Sequence, residues 1–154
     1  MTPQDIVKRY LPQVNIMQLA TVSNGRPYLC TVHYYSDENL NLYWASMLSR
    51  HHSKDIERNP KVAAYVLVHE NTPEEDYVIG ITFIGEAKLV GAKVNPAVAE
   101  AYTKKLQENP DFVQKVADDT TPFKFYEFKT ERIVLFDNKN FPEDPRQEFT
   151  YNVA

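Results

Sequence analysis

The stretch Leu40–Val68, which reads LNLYWASMLSRHHSKDIERNPKVAAYVLV, decides the fold. Its first apolar positions recur with a period of two, which predicts a strand with one buried face over about Leu40–Ser46. Asn59-Pro60 ends a short helix after that strand, because proline lacks a backbone donor and restricts the residue before it. Lys61–Val68 is apolar, β-branched or aromatic almost throughout, so we expect a second strand covered on both faces.

Between these two strands, hydroxyl and cationic side chains crowd the expected start of the helix: Ser46, Ser49, Arg50, His51, His52, Ser53 and Lys54. The free N–H groups and the positive dipole end of a helix start attract anions, so the cluster indicates a phosphate site. The alternative is a solvated helix start with Ser49 or Ser53 as an ordinary cap. The cluster is not a P-loop, because the required glycines are missing.

Length, charge and cysteine content set the class of protein. The 154 residues predict one domain over 1–154 with enough chain for a core. A formal net charge of -4 argues against general binding of nucleic acid or acidic membranes. Cys30 is the single cysteine, which excludes an intramolecular disulfide and favours a reducing compartment. With no signal-like or membrane-spanning apolar run, we expect a soluble cytoplasmic protein.

Helix and turn signals flank the central unit. Thr2-Pro3-Gln4-Asp5 is typical of a capped helix start, and Asn24-Gly25 of a tight turn between two strands. We expect those strands over Ile16–Val22 and Pro27–Tyr35. In the second half we expect a long β segment over Tyr77–Val90 and a helical insert at about 95–117. Phe123–Phe128 and Arg132–Asp137 predict a hairpin or one bent strand, followed by a proline-rich tail over 138–154 with aromatic residues that can dock.

Six or seven strands with short turns and marginal helices favour an α+β domain built on an antiparallel barrel. Neither a metal centre nor a thiol enzyme is indicated. His51 and His52 are adjacent and cannot share a helix face, so we expect no metal site. Cys30 and His33 point to opposite faces of a strand, which argues against a nucleophile and base pair.

Six motifs, in this order and spacing, resemble the pyridoxamine 5'-phosphate oxidase-like family of FMN-binding split barrels. They are Leu19-Ala20-Thr21-Val22, Gly25-Arg26-Pro27-Tyr28, Leu42-Tyr43-Trp44-Ala45-Ser46, Ser49-Arg50-His51-His52-Ser53-Lys54, Asn59-Pro60-Lys61-Val62-Ala63 and Phe83-Ile84-Gly85-Glu86-Ala87. The resemblance implies a split β-barrel with flanking helices and a homodimer that holds two FMN molecules between its subunits.

The resemblance also implies which residues hold the cofactor. The strand after the Gly-x-Pro turn lines the flavin, which points to Thr31, Val32 and His33. The corner after the next strand holds the phosphate, which here points to Ser46, Ser49, Arg50, His52, Ser53 and Lys54. Aligning this corner requires a gap of one residue, which leaves open whether His51 or His52 takes part.

Three departures separate the chain from true pyridoxamine phosphate oxidases. Cys30 stands where the oxidases carry an arginine, and Thr82 stands where many members carry glutamine. The C-terminal segment rich in Trp and Arg that binds pyridoxal phosphate has no counterpart after Phe136. We therefore do not expect vitamin B6 oxidation.

Three functional hypotheses remain open at this point. The first is an FMN-dependent oxidoreductase that reduces a small molecule with NADH or NADPH, for which the sequence assigns no catalytic residue. The second is a non-enzymatic flavin or haem binder, a carrier or sensor with an axial ligand from His33, His51, His52 or His69. The third is a barrel without cofactor that serves as an interaction module.

Overall fold

Eight strands in one antiparallel sheet and four helices make up the chain, whose computed structural model describes residues 1–151. The helices are α1 Pro3–Tyr10, α2 His51–Arg58, α3 Pro96–Leu106 and α4 Pro110–Ala117. The strands are β1 Ile16–Ser23, β2 Arg26–His33, β3 Tyr35–Ser36, β4 Leu42–Met47, β5 Lys61–His69, β6 Ile79–Leu89, β7 Phe123–Asp137 and β8 Arg146–Thr150.

The sheet curls but does not close. Seven strands follow the order β2-β1-β5-β6-β7-β4-β3, and β8 pairs with β7 beside this path. The two ends of the sheet, β2 and the β4–β3 pair, therefore face each other across a gap. This arrangement confirms the predicted α+β split barrel, and the gap gives the molecule one side where strand edges lack strand partners.

Local signals set α1 and the first hairpin as predicted. Thr2 caps α1 and exchanges hydrogen bonds with Asp5 in a capping box. Asn24 and Gly25 take φ values of 53° and 73°, as a tight turn between antiparallel strands requires. The expected strand over Pro27–Tyr35 is broken at Tyr34, whose buried hydroxyl donates to the carbonyl of Leu11.

The central unit β4–α2–β5 forms as predicted, with one correction at β5. The side chains of Leu42 and Trp44 are fully buried in the barrel interior, and α2 ends at Arg58 before Asn59-Pro60. The prediction that β5 is covered on both faces is wrong, since Tyr65 and Leu67 on its outer face are 37% and 41% exposed. Within residues 1–151, these two side chains therefore leave part of that face of the sheet open.

The last third of the chain settles two open points. Phe123–Asp137 is one strand rather than a hairpin, paired with β6 along most of its length. The register shifts between Ile84 and Gly85, and a side chain at Gly85 would collide with the backbone carbonyl of Lys129. This is the bulge that a glycine inside a strand indicates.

The expected tail over 138–154 contributes β8, a strand that the sequence did not predict. Its aromatic residues Phe141, Phe149 and Tyr151 pack against the main core. The last three positions of the expected tail lie outside the described residues.

The helical insert forms a second core. Asn95 and Asn109 each accept a hydrogen bond from a first-turn N–H, and a proline follows each of them in α3 and α4. The two helices bury apolar side chains against Tyr43 and Phe125 on the outside of β4 and β7. Within residues 1–151, no helix has both the length and the apolarity needed to cross a membrane.

Candidate functional site

The gap between β2 and β4 holds a cavity of about 580 Å³, which we call the cleft. Strand β2, the end of β4, the start of α2 and the helical insert form its walls. The lining residues are Tyr28, Cys30, Thr31, Val32, His33, Ala45, Ser46, Met47, Arg50, His51, His52, Tyr102, Glu108, Phe112 and Phe123. Because β2 pairs with β1 alone among the described strands, its other edge faces this cleft.

The cleft brings together Thr31, Val32 and His33, the three residues that the resemblance assigned to the flavin-lining strand. Val32 is half-buried, whereas Thr31 and His33 are exposed. The Oγ1 of Thr31 accepts a hydrogen bond from Gln18, and neither ring nitrogen of His33 has a partner within residues 1–151. Side chains of both strand faces reach the cleft because the cleft wraps around a sheet edge.

At the corner after β4, the start of α2 presents unsatisfied donors to the cleft. The expected cap at Ser49 or Ser53 is wrong, since the N-cap is Arg50 and no side chain among residues 1–151 caps the helix. The Ser53 hydroxyl instead donates to the carbonyl of Met47 at 2.8 Å. First-turn N–H groups without a side-chain acceptor and the Arg50 guanidinium together favour an anion at this point.

A buried hydrogen bond joins Ser46 and His52 beside Arg50. The Oγ of Ser46 lies 2.8 Å from the Nε2 of His52, and both residues are buried. Burial and, after it, the nearby Arg50 cation lower the pKa of His52. His52 is therefore neutral near neutral pH, so Arg50 supplies the fixed positive charge of the cleft.

The remaining predicted phosphate residues lie elsewhere around α2. Ser49 and Lys54 line a smaller cavity that does not include Arg50. Ser53 faces a third, more apolar cavity between α2 and β6. Successive helical residues point about 100° apart, so a continuous run of polar residues divides among several faces. Of the predicted corner, Ser46, Arg50 and His52 reach the cleft.

His51 also lines the cleft, as part of a chain of contacts that the sequence did not indicate. Its ring stacks on Tyr28 with centroids 3.9 Å apart and planes 4° apart. The Nε2 of His51 lies 3.3 Å from the buried carboxylate of Asp55, which also accepts a 2.8 Å hydrogen bond from Thr21. This chain fixes an aromatic pair at the rim of the cleft, and it places both His51 and His52 at the site.

Sequence reasoning missed the part of the wall that the insert supplies. Tyr102 packs edge-on against Phe125, and Phe112 packs edge-on against Phe123. The apolar stripe of α3 was the only available signal, and it indicated packing rather than a site. These aromatic contacts hold the insert against the outer wall of the cleft.

Lys105 connects the insert to the barrel through hydrogen bonds. Its Nζ donates to the backbone carbonyls of Val14 and Tyr34, at 2.8 and 3.1 Å, and lies 3.7 Å from the centre of the Tyr34 ring. Burial lowers the pKa of Lys105 to about 8. The ammonium therefore loses its proton at a much lower pH than an exposed lysine does.

The cleft contains no arrangement typical of thiol or metal catalysis. Burial raises the pKa of the Cys30 thiol, so Cys30 stays protonated near neutral pH and is a poor nucleophile. Within residues 1–151, no group of three or more His, Cys, Asp or Glu side chains is placed to hold a metal ion.

The family model described as "Pyridoxamine 5'-phosphate oxidase" matches residues 4–137. The chain belongs to this family. The match covers β2, the β4–α2 corner and the helical insert, and so includes every wall of the cleft. No curated protein matches the sequence.

Solved structures with the same fold include proteins of different described roles. A haem-binding protein from Mycobacterium smegmatis has a TM-score of 0.71 and 14% identity, and the match covers 97% of this chain and 59% of that one. HutZ, a haem storage protein from Vibrio cholerae, has a TM-score of 0.64 and 15% identity, with 100% and 98% covered. General Stress Protein 26 from Bacillus anthracis has a TM-score of 0.66 and 16% identity, with 97% and 99% covered. At these identities the likeness shows a shared fold alone.

Proposed function

We propose that the cleft binds FMN and that the protein is an FMN-dependent oxidoreductase acting on a small molecule. One observation carries the proposal. Six of the nine residues that the family resemblance assigns to FMN line one cleft in the gap of the barrel: Thr31, Val32, His33, Ser46, Arg50 and His52. Their convergence from two strands and a helix start supports a common ligand.

The side chains of the cleft suit the two halves of FMN. Arg50, with no carboxylate partner within residues 1–151, and the uncapped start of α2 suit the phosphate. Val32, Met47 and Phe123 offer apolar surface for the ring system. The volume of about 580 Å³ lies within the range of about 300 to 1,000 Å³ that is typical of ligand sites. When bound, FMN supplies the electron chemistry, and the chain's own residues bind and orient it and limit water access.

The outer face of the barrel supports a homodimer as part of this proposal. Leu67 and Phe136 flank Gly80 on adjacent strands, and the Tyr65 ring lies across Gly80. All three large side chains are more than one-third exposed, which leaves an apolar patch on the sheet. A two-fold partner that covers this patch would give β5 its second buried face.

Sedimentation tests the dimer. The change Leu67→Glu with Phe136→Glu adds two charges to the patch and is expected to convert dimer to monomer at micromolar protein. Ala92→Glu with Ala97→Glu adds the same charge at exposed positions just before α3 and in its first turn, and is the matched control. Monomeric wild type with flavin present would refute the homodimer.

The absorbance spectrum of the freshly purified protein tests the cofactor. We expect the two-band yellow spectrum of an oxidised flavin, released as FMN on denaturation. Anaerobic mixing with NADH or NADPH is then expected to bleach that spectrum, which a carrier would not do. A colourless protein that ignores added FMN would refute the proposal and support an interaction module.

A haem binder is the second candidate, because His33 offers an unoccupied imidazole at the cleft. His51 and His52 each engage a protein partner through Nε2, and His69 is held by Tyr77 and Glu75 outside the cleft. Two proteins of similar fold are described as haem-binding or haem-storage proteins. If this candidate is correct, added haem gives a sharp Soret band that His33→Ala removes and His69→Ala preserves.

A further inference from the structure

A second, cationic groove runs along α2 beside the cleft. It consists of two adjoining cavities, one of about 290 Å³ between α2 and the β1–β2 hairpin and one of about 240 Å³ lined by Ser49 and residues of α2. Both cavities share His51, Asp55 and Arg58, which lie on one face of α2 at i, i+4 and i+7. The hairpin adds Arg26 to one cavity, and α2 adds Lys54 to the other.

We propose that this cationic groove binds a phosphoryl anion. The anion is the diphosphate of a dinucleotide whose ring system occupies the cleft. The proposal rests on the proposed function and deepens it by naming a ligand class that extends beyond FMN. A free phosphate or diphosphate ion would present the same phosphoryl oxygens to the groove.

Unpaired cations are the first support. Arg26, Lys54 and Arg58 are exposed, and none has a carboxylate within ion-pair distance in the described chain. Elsewhere, Arg132 and Arg146 both pair with Glu148. Three cations without carboxylate partners therefore lie around one groove of a protein with a net charge of -4, which favours an anionic ligand there.

The carboxylate in the groove does not cancel this charge for a ligand. Asp55 is 4% exposed, and its Oδ2 already accepts from Thr21 and faces the Nε2 of His51. Asp55 lines both cavities, but its Oδ2 is already engaged within the protein. An anion in the groove would meet the guanidinium groups of Arg26 and Arg58, which suit the geometry of phosphate oxygens.

An orphaned hydroxyl is the second support. The Oγ of Ser23 is buried and has no hydrogen-bond partner in the described structure, and Ser23 lines the groove. Buried hydroxyls are nearly always paired. The Oγ is fully covered in this structure, so an anion in the groove reaches it only after the Ser23 side chain rotates. A phosphate oxygen would then accept from the hydroxyl, whereas an apolar ligand would leave it unpaired.

Continuity with the cleft identifies the ligand class. His51 lines the cleft and both cavities of the groove. From His51 to Arg58 the helix advances about 10 Å, at about 1.5 Å per residue. A ligand anchored in the cleft can therefore carry a second anionic group along α2, and dinucleotides such as FAD and NADPH have that shape and charge.

Calorimetry with inorganic pyrophosphate at low ionic strength tests the groove without any flavin. We expect Arg26→Ala with Arg58→Ala to weaken pyrophosphate binding at least about tenfold, since two charge-assisted contacts are lost. Lys104→Ala with Lys115→Ala removes the same charge from exposed positions of α3 and α4 and is expected to change the affinity less than about twofold. Circular dichroism verifies that both variants are folded.

The Arg50→Ala variant separates the groove from the cleft. Pyrophosphate binding that survives Arg50→Ala but not Arg26→Ala with Arg58→Ala supports the groove. If the folded variant Arg26→Ala with Arg58→Ala, the groove variant, binds pyrophosphate with wild-type affinity, the proposal is overturned, whatever happens to flavin binding. Conversely, a protein that binds pyrophosphate in the groove and no flavin at all refutes the proposed function alone.

Dinucleotides distinguish the source of the anion. We expect the groove variant to weaken the binding of FAD or NADPH at least about tenfold while FMN affinity changes less than about twofold. Equal effects on FMN and both dinucleotides would overturn the dinucleotide assignment and leave free phosphate or diphosphate as the ligand of the groove.

Discussion

The closed side of the barrel and its split side are built from the same sheet but differ in how their strand edges are satisfied. On the closed side, β1, β5, β6 and β7 pair on both edges, and Val66, Ile81 and Leu135 are fully buried inside. On the split side, β2 has one partner among the described strands, and Thr31 and His33 remain exposed at the cleft. The site exists because the sheet stays open there, leaving backbone edges, a helix start and cations to be satisfied by something other than strand pairing.

Truncation of one aromatic residue on each side is expected to show the largest contrast. Phe83 is fully buried on the closed side, whereas Phe112 is half-buried in the insert. Phe83→Ala should lower the free energy of unfolding by about 3 to 5 kcal/mol, and Phe112→Ala by about 1 to 2 kcal/mol, because less apolar area is lost. Urea unfolding measures both. Equal losses would mean that the split side is packed as tightly as the core.

The hydrogen bond between Thr21 and Asp55 beside the cleft should contribute a smaller free energy of unfolding. Its signature is non-additivity in a double-mutant cycle. Asp55→Ala leaves the buried hydroxyl of Thr21 without its acceptor, which should cost about 1 to 3 kcal/mol. Adding Thr21→Val removes that unpaired hydroxyl, so the double variant should be less destabilised than the sum of the single changes. A strictly additive cycle in urea unfolding would show that the hydrogen bond contributes nothing.

The FMN affinities of single alanine variants at Arg50 and Lys54 compare the cleft directly with the groove. Arg50→Ala should weaken FMN binding at least about tenfold, because about 1.4 kcal/mol corresponds to that factor. Lys54→Ala, which removes the same charge from a residue outside the cleft, should change it less than about twofold. Fluorescence titration measures both affinities, with riboflavin as the ligand that lacks the phosphate. Equal losses of FMN affinity in the two variants would show that both cations contact the phosphate.

The attachment of the insert through Lys105 should be visible as a pH dependence of the free energy of unfolding. In the folded protein the pKa of Lys105 falls from 10.5 to about 8. Between these values the unfolded chain binds more protons than the folded one, so the contribution of Lys105 to the free energy of unfolding rises with pH. Below about pH 8 both states are protonated and the slope from this group disappears.

Lys105→Met isolates this contribution, since the other titrating groups are common to both proteins. The difference in unfolding free energy between wild type and variant, measured by urea unfolding, should grow in favour of wild type as the pH rises from about 8 toward 10.5. A difference that stays constant over this window would show that Lys105 titrates at its ordinary pKa.

Local signals in the sequence determined the fold class, the capping box of α1, the Asn24-Gly25 turn and the end of α2. Each depends on residues within a few positions of one another, so no distant contact can easily override it. The same locality places Arg50 at the corner after β4, one residue before the helix begins.

Only the tertiary structure decided which side chains share a cavity. Lys54 lies four residues from Arg50, yet it lines a separate cavity with Asp55 and Arg58. The insert places Tyr102 and Phe112 against the cleft by packing on β7. A periodic pattern states which residues are buried but not what they are buried against, because that depends on strand register and on where the sheet stays open.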